Sequence, residues 1–249
     1  MFGTTHIIYT VISLIVSALL IFLGKKFIKS ENGHNRALWA TASITVLLHI
    51  SPLWVDYLRT GEALVESPML FPIYPCNVCM WLLLALTYMK REGVLYRLTS
   101  EFVCLGGTVC GIIGLVFNAN FAANPTLADW GIFKGLLSHS TMILGTVYLG
   151  VCGFVKIRLR NILSVMAGLC FFVLDGALIN GIYALAGLEP CNSMYLLEPP
   201  FASMPWLTTP LIGALALVIV VALTVLYERF ALKKKCKEIF TLKNLIDFS

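Results

Sequence analysis

Two cysteines in this chain have the setting and spacing for covalent chemistry. In Phe71-Pro72-Ile73-Tyr74-Pro75-Cys76-Asn77 a proline stands where a helix would open, and a cysteine follows at once. Proline suits a first helical turn because its missing N–H would find no partner there. The positive end of the helix dipole favours a thiolate, the nucleophilic form of cysteine. Ordinary burial is the competing reading of Cys76, since cysteine also behaves as a small hydrophobe. Cys79 adds Cys-x-x-Cys spacing, which suits thiol–disulfide exchange, with Cys191 available as an exchange partner.

His139, within Ser138-His139-Ser140, is the natural proton acceptor for a thiol and could return that proton to a leaving group. Asn77 can donate hydrogen bonds toward a developing oxyanion. His49 and Asp56 could orient the imidazole or hold a lipid head group, and Asp175 and Asn180 are further orienting candidates. A dithiol relay through Cys76 and Cys79 would leave these histidines and acids without a role. They could also supply metal ligands, but no compact ligand spacing such as His-Glu-x-x-His occurs, so neither a metal nor another cofactor is expected.

These groups need elements to position them, and the composition says what those elements are. The chain is 59% hydrophobic and 12% charged, about half the charge of a soluble domain at roughly 25%. Its apolar runs approach the roughly 20 residues that cross a bilayer as helix. They predict an all-α, polytopic membrane protein with seven transmembrane helices, near residues 5 to 26, 37 to 58, 74 to 90, 100 to 118, 136 to 155, 161 to 186 and 207 to 230. The first run lacks a basic n-region and a small-residue cleavage site, so it reads as a retained span. Residues 1–232 form one transmembrane domain in this reading. Residues 233–249 form a basic cytoplasmic tail that could lie as an amphipathic helix on anionic lipid. Gly106, Gly107, Gly111 and Gly114 give the fourth span a face for close helix packing.

The net charge of +5 does not imply nucleic acid, because 16 of the 18 Lys and Arg fall in blocks after the first, third and fifth spans or in the tail. Only Arg59 and Lys134 lie on the other side. Positive-inside bias then places the N-terminus outside and the C-terminus in the cytoplasm. On that topology His49, Asp56, Cys76, Asn77, Cys79, Asn118, Asn120, His139, Asp175 and Asn180 all fall between mid-bilayer and the outer surface. Ionisable groups at depth usually face a cavity or the bundle interior, so their shared depth points to an outer cavity; interhelical glue is the alternative.

At these residues the chain resembles the YwaF-like integral membrane family, which includes a eukaryotic branch of cysteine-dependent phospholipid acyltransferases. The resemblance rests on Pro72-Ile73-Tyr74-Pro75-Cys76-Asn77, on His139, and on the segment from Asn180 through Tyr183 and Pro190 to Pro205-Trp206. It implies Cys76 and His139 as a catalytic pair and a membrane phospholipid or lysophospholipid as partner. It also implies ping-pong acyl transfer or lipolysis, which the topology places in the outer half of the membrane, expected to be a bacterial cell membrane; thiol–disulfide exchange and a non-enzymatic lipid binder or transporter are the alternatives. Tyr74-Pro75 departs from the Leu-His-like approach usual before the Cys-Asn pair, and Cys79 is a thiol that such an enzyme does not need. The proline-rich connection from Gly187 to Thr208, with Trp206 at its end, reads as an interfacial anchor or a lid over the site.

Overall fold

Each stretch read as a span contains helix, and the departures from the expected bounds follow from particular residues. The computed structural model describes residues 3–61, 72–118, 121, 124–201 and 204–241, without the side chains of Asp56, Thr60, Cys236 and Lys237. Asn120, Phe71 and the tail beyond residue 241 lie outside the described residues.

Helix α1 runs Thr4–Phe27 and buries only His6, Ser17 and Ile21, a narrow stripe on one face. The rest of its surface is aliphatic and exposed, as a helix solvated by lipid requires. Ser30 caps α2 (Glu31–Ile50) by accepting the Gly33 N–H at 3.0 Å. The expected straight helix over 37 to 58 is instead bent by 47° between α2 and α3 (Pro52–Thr60). Pro52 supplies the reason, because it donates no hydrogen bond and its ring crowds the carbonyl one turn back. Ser51 Oγ donates to that carbonyl, Leu48 O, at 2.7 Å.

Helix α4 (Pro75–Leu86) has 12 residues, about 18 Å of helix. That is shorter than a hydrocarbon core of about 30 Å, so a crossing here needs the turn that follows α4 or a locally thinned bilayer. Helix α5 (Val94–Phe102) runs through a π turn (Val103–Gly107) into α6 (Thr108–Val116). Helix α7 (Trp130–Val151) is capped by Asp129, whose carboxylate accepts the Ile132 N–H at 3.0 Å. A 3-10 turn (Leu159–Asn161) leads into α8 (Ile162–Leu185), and a second (Ser193–Tyr195) lies in the connection to α9 (Thr209–Leu226). A π turn (Tyr227–Ala231) and the four-residue α10 (Cys236–Ile239) follow.

Among the described residues, four helices are long and apolar enough to cross a membrane: Thr4–Phe27, Val94–Val116, Leu159–Leu185 and Thr209–Ala231. The bent α2–α3 pair makes up to five. Helix α7 has the length, at 22 residues, but carries Lys134, Ser138, His139, Ser140, Thr141 and Thr146. It can be polar because it is the hub, packed against α1, α2, α4, α6 and the π turn. Its hydroxyls bond back to their own helix, Ser138 to Gly135 O at 2.9 Å and Ser140 to Leu136 O at 2.8 Å, so they cost little in an apolar interior.

Glycines set the close approaches to that hub. A Cβ on Gly111 would lie 2.7 Å from Ile143 of α7, and one on Gly107 would lie 3.0 Å from Thr146. The glycine face expected for α6 is therefore the face on which α7 lies. Gly145, on α7 itself, leaves room for Leu83 of α4.

Candidate functional site

The start of α4 is assembled by Tyr74, Pro75 and Asn77. Tyr74 is extended, and its N–H donates to Asn77 Oδ1 at 3.2 Å, which caps the helix from within. Asn77 Nδ2 lies 3.0 Å from Nε2 and 3.2 Å from Nδ1 of His49, so the same side chain ties α4 to α2. Asn77 and His49 are both buried. In this arrangement Asn77 is a cap and a brace, with its amide aimed at His49.

Cys76 is half-buried, and the backbone N–H groups of Asn77 and of Cys76 itself face its sulfur. Cys110 of α6 and the Lys134 ammonium of α7 lie within electrostatic reach of that sulfur. Cys79, one turn deeper, is fully buried and hydrogen-bonded to the Cys110 thiol. Cys76, Cys79 and Cys110 therefore form a cluster of three thiols, and every described cysteine is free. Among the described residues no group of three or more His, Cys, Asp or Glu has the geometry to hold a metal ion.

His139 takes its orientation from α7 and α6. Its Nδ1 lies 2.7 Å from Gly135 O. A carbonyl only accepts, so Nδ1 carries the proton of the neutral ring and Nε2 is the basic nitrogen. That Nε2 is buried and has no hydrogen-bond partner among the described residues. The ring fills the space left by Gly114, where a Cβ would stand 2.1 Å from the ring atoms. Cys110, within electrostatic reach of Cys76, and Gly114, against which His139 packs, are about one turn apart on α6. Lys134 acts on both electrostatically and donates to His49 O at 3.3 Å. Among the described residues no hydrogen bond joins Cys76 to His139 directly.

The family model for the TMEM164 family, a family of membrane proteins, matches residues 1–234. The chain belongs to the TMEM164 family. No curated protein and no solved structure matches it. The TMEM164 match takes in every helix from α1 to α9, and with it the whole thiol and histidine cluster. Together with the four apolar helices, membership makes this an integral membrane protein.

Over the start of α4 this TMEM164 family member folds the connection that follows α8. Asn180 of α8 holds it with both ends of its amide. Oδ1 accepts the Ser193 N–H at 2.8 Å and faces Cys191 Sγ at 3.4 Å, while Nδ2 donates to Ser193 O at 3.2 Å. The connection in turn grips Ile73, whose carbonyl accepts from Met194 N at 2.7 Å and from Ser193 Oγ at 3.1 Å. Tyr195 stacks on Tyr74 with ring centroids 5.1 Å apart. Burial pushes the Tyr195 phenol above its usual pKa, reinforced by the neighbouring Cys76, Tyr74 and Cys110. Asn192, Met194 and Tyr195 all have positive φ, at 46°, 54° and 55°, a conformation costly for side chains other than Gly and Asn. Asn192 closes the turn by accepting the N–H groups of Leu197 and Glu198, each at 3.0 Å. Met194 is buried against Gly176 of α8, where no Cβ would fit. Trp206 is exposed, as an interfacial anchor would be.

The remaining expected positions are dispersed. Asn118 accepts the Phe121 N–H at 2.9 Å and ends α6. Asp175 is half-buried on α8, and its Oδ2 has no hydrogen-bond partner among the described residues. No described contact joins it to Cys76 or His139. The backbone of Asp56 lies in α3, and its side chain is outside the described residues. Cys110, Lys134 and Tyr195 enter the site without having been named for it by the sequence. Each comes from a different helix or connection, and only the packing of α4, α6, α7 and the connection after α8 brings them together.

Proposed function

We propose that this protein is a cysteine-dependent lipid acyltransferase or lipase, with Cys76 as nucleophile and His139 as general base and acid. The observation that carries the reading is a half-buried thiol at a helix start, faced by backbone N–H groups and sharing the Lys134 charge with a histidine whose basic Nε2 has no hydrogen-bond partner among the described residues. Cys76 Sγ gives its proton to His139 Nε2 and attacks the ester carbonyl of a glycerophospholipid. The oxyanion of the tetrahedral intermediate is met by the backbone N–H groups at the start of α4 and by the Lys134 charge. Collapse breaks the ester C–O bond, His139 protonates the departing lysolipid, and the acyl chain remains on sulfur as a thioester. An acceptor hydroxyl or amine, or water, then gives its proton to His139 and takes the acyl group. Asn77 serves here through its cap and its bond to His49, and the connection over Ile73 governs access.

The seven-span topology belongs to this proposal, with the N-terminus outside, the basic connections in the cytoplasm and the cluster in the outer half of the membrane. The distribution of Lys and Arg supports it. The resemblance of residues 72–77 and His139 to the YwaF-like acyltransferases supports the reaction class. The test is turnover of labelled phospholipid by the reconstituted protein. Cys76→Ala abolishes acyl exchange, and intact-mass analysis of the native chain detects an acyl adduct on Cys76. Undiminished turnover by Cys76→Ala removes the cysteine mechanism.

A second reading is favoured by the Cys79–Cys110 thiol contact next to Cys76, which suits dithiol–disulfide exchange. Activity that persists in Cys79→Ser excludes an obligatory Cys76–Cys79 pair.

A further inference from the structure

At the opposite end of the helices from Cys76 is a cavity of about 270 Å³ between the start of α5 and the connection from α7 to α8. Its lining includes Arg91, Arg97, Lys156 and Arg160, against two carboxylates, Glu92 and Glu101. We propose that this cavity binds the phosphate of an anionic phospholipid head group, a ligand site separate from the thiol cluster.

Four features support a phosphate. The cations come from two segments of the chain far apart in sequence and converge on one cavity, whereas a merely solvated basic face would spread them. Arg91 is held in place, with its guanidinium 4.4 Å from the Phe154 ring centroid and paired with Glu31, so part of the ordering cost of binding is already met. Glu101 is buried and accepts from Ser164 Oγ, which turns one of the two opposing charges toward α8. Helix α5 also opens into the cavity at Gly93 and Val94, and Gly93 has no side chain to cap its first N–H groups. Such N–H groups are suited to an anion.

A lipid source is favoured by the rim. Val94 and Leu95 stand beside the cavity with 63% and 69% of their surfaces exposed, on a helix apolar enough to cross the membrane. A head group in the cavity would lay its acyl chains along that face. The same phosphate chemistry could come from free phosphate, and the experiment separates the two.

The full-length protein is placed in nanodiscs of phosphatidylcholine doped with phosphatidylglycerol, and the lipid retained on extraction is counted by native mass spectrometry. Wild type enriches phosphatidylglycerol, and Arg97→Gln with Lys156→Gln lowers its retention about thirtyfold, given roughly 1 kcal/mol per basic residue at an anionic surface. Both changed side chains reach the surface, and a thermal melt confirms that the variant folds. Lys25→Gln with Lys29→Gln removes the same charge at the end of α1 and leaves retention unchanged. Equal losses in the two double variants would reduce the effect to diffuse charge and overturn the site. Retention unaffected by Arg97→Gln with Lys156→Gln would also overturn it. Millimolar inorganic phosphate that displaces the lipid completely would reassign the cavity to soluble phosphate and overturn the lipid source.

Discussion

The two ends of the helix bundle use polar residues in opposite ways. Around Cys76 the groups are thiols, two imidazoles, amides and a single ammonium, most of them buried. Around Arg97 the groups are formal charges beside an open cavity, most of them on half-exposed or exposed side chains, with Arg160 and Glu101 buried behind. A buried group that can be neutral costs less at depth than one that must stay charged. Proton transfer is therefore suited to the first end and charge recognition to the second. The comparison predicts that damage at one end leaves the function of the other intact.

The strongest test of that separation is Cys76→Ala, which takes lipid turnover to background while phosphatidylglycerol retention at the basic end stays at the wild-type level. A fall in both would show that the ends act as one unit. Gly114→Ala follows. A methyl there collides with the His139 ring, so turnover falls by about 10²-fold or more as the base loses its position, and stability falls by about 1–3 kcal/mol from overpacking. His139→Gln in the same background then produces little further loss of turnover. Independent, additive losses would detach Gly114 from the imidazole.

Asn180→Ala has an intermediate effect. It strips the partners from both Ser193 backbone groups, costing about 1–3 kcal/mol in thermal or denaturant unfolding. It also speeds alkylation of Cys76 by a membrane-permeant maleimide, because the connection no longer holds to α8. An unchanged alkylation rate would show that the connection does not limit access. The smallest effect belongs to Glu31→Ala, whose partner Arg91 is 33% exposed while Glu31 is 76% exposed. Pairs exposed to this degree contribute less than about 1 kcal/mol.

How far the sequence foretold this structure depends on the range of the interaction involved. The helices are legible because apolar runs and caps such as Ser30 and Asp129 act within a few residues. The glycine face of α6 is legible for the same reason, since Gly107, Gly111 and Gly114 recur at helical spacing. Pro52 was a readable signal of the bend, overridden by the apolar run around it. The short α4 was not readable, because Leu86 to Tyr88 remain apolar enough to continue the pattern; Thr87 ends it by bonding Leu84 O through its hydroxyl at 2.7 Å. For the candidate site, the helix-start setting of Cys76 and the character of His139 were visible in their neighbours. Cys110 and Lys134 were not, since their place beside Cys76 depends on the depth at which α6 and α7 pass α4. Asn77 was given an oxyanion role from its type alone, and its amide is instead directed at His49, a residue 28 positions away.

Met194 and Tyr195 hold the connection after α8 against Ile73 in backbone conformations that L-residues disfavour, at about 1–2 kcal/mol each. The hydrogen bonds to Asn180 and Ile73 oppose that tendency, so the segment behaves as a loaded spring rather than a slack cover. Releasing it returns the backbone energy just as the bonds are lost, which lowers the net work of opening below the sum of its contacts. Glycine at position 194 would unload the spring, and the connection would then rest more firmly over Cys76 except where the lost methionine left a void beside Gly176.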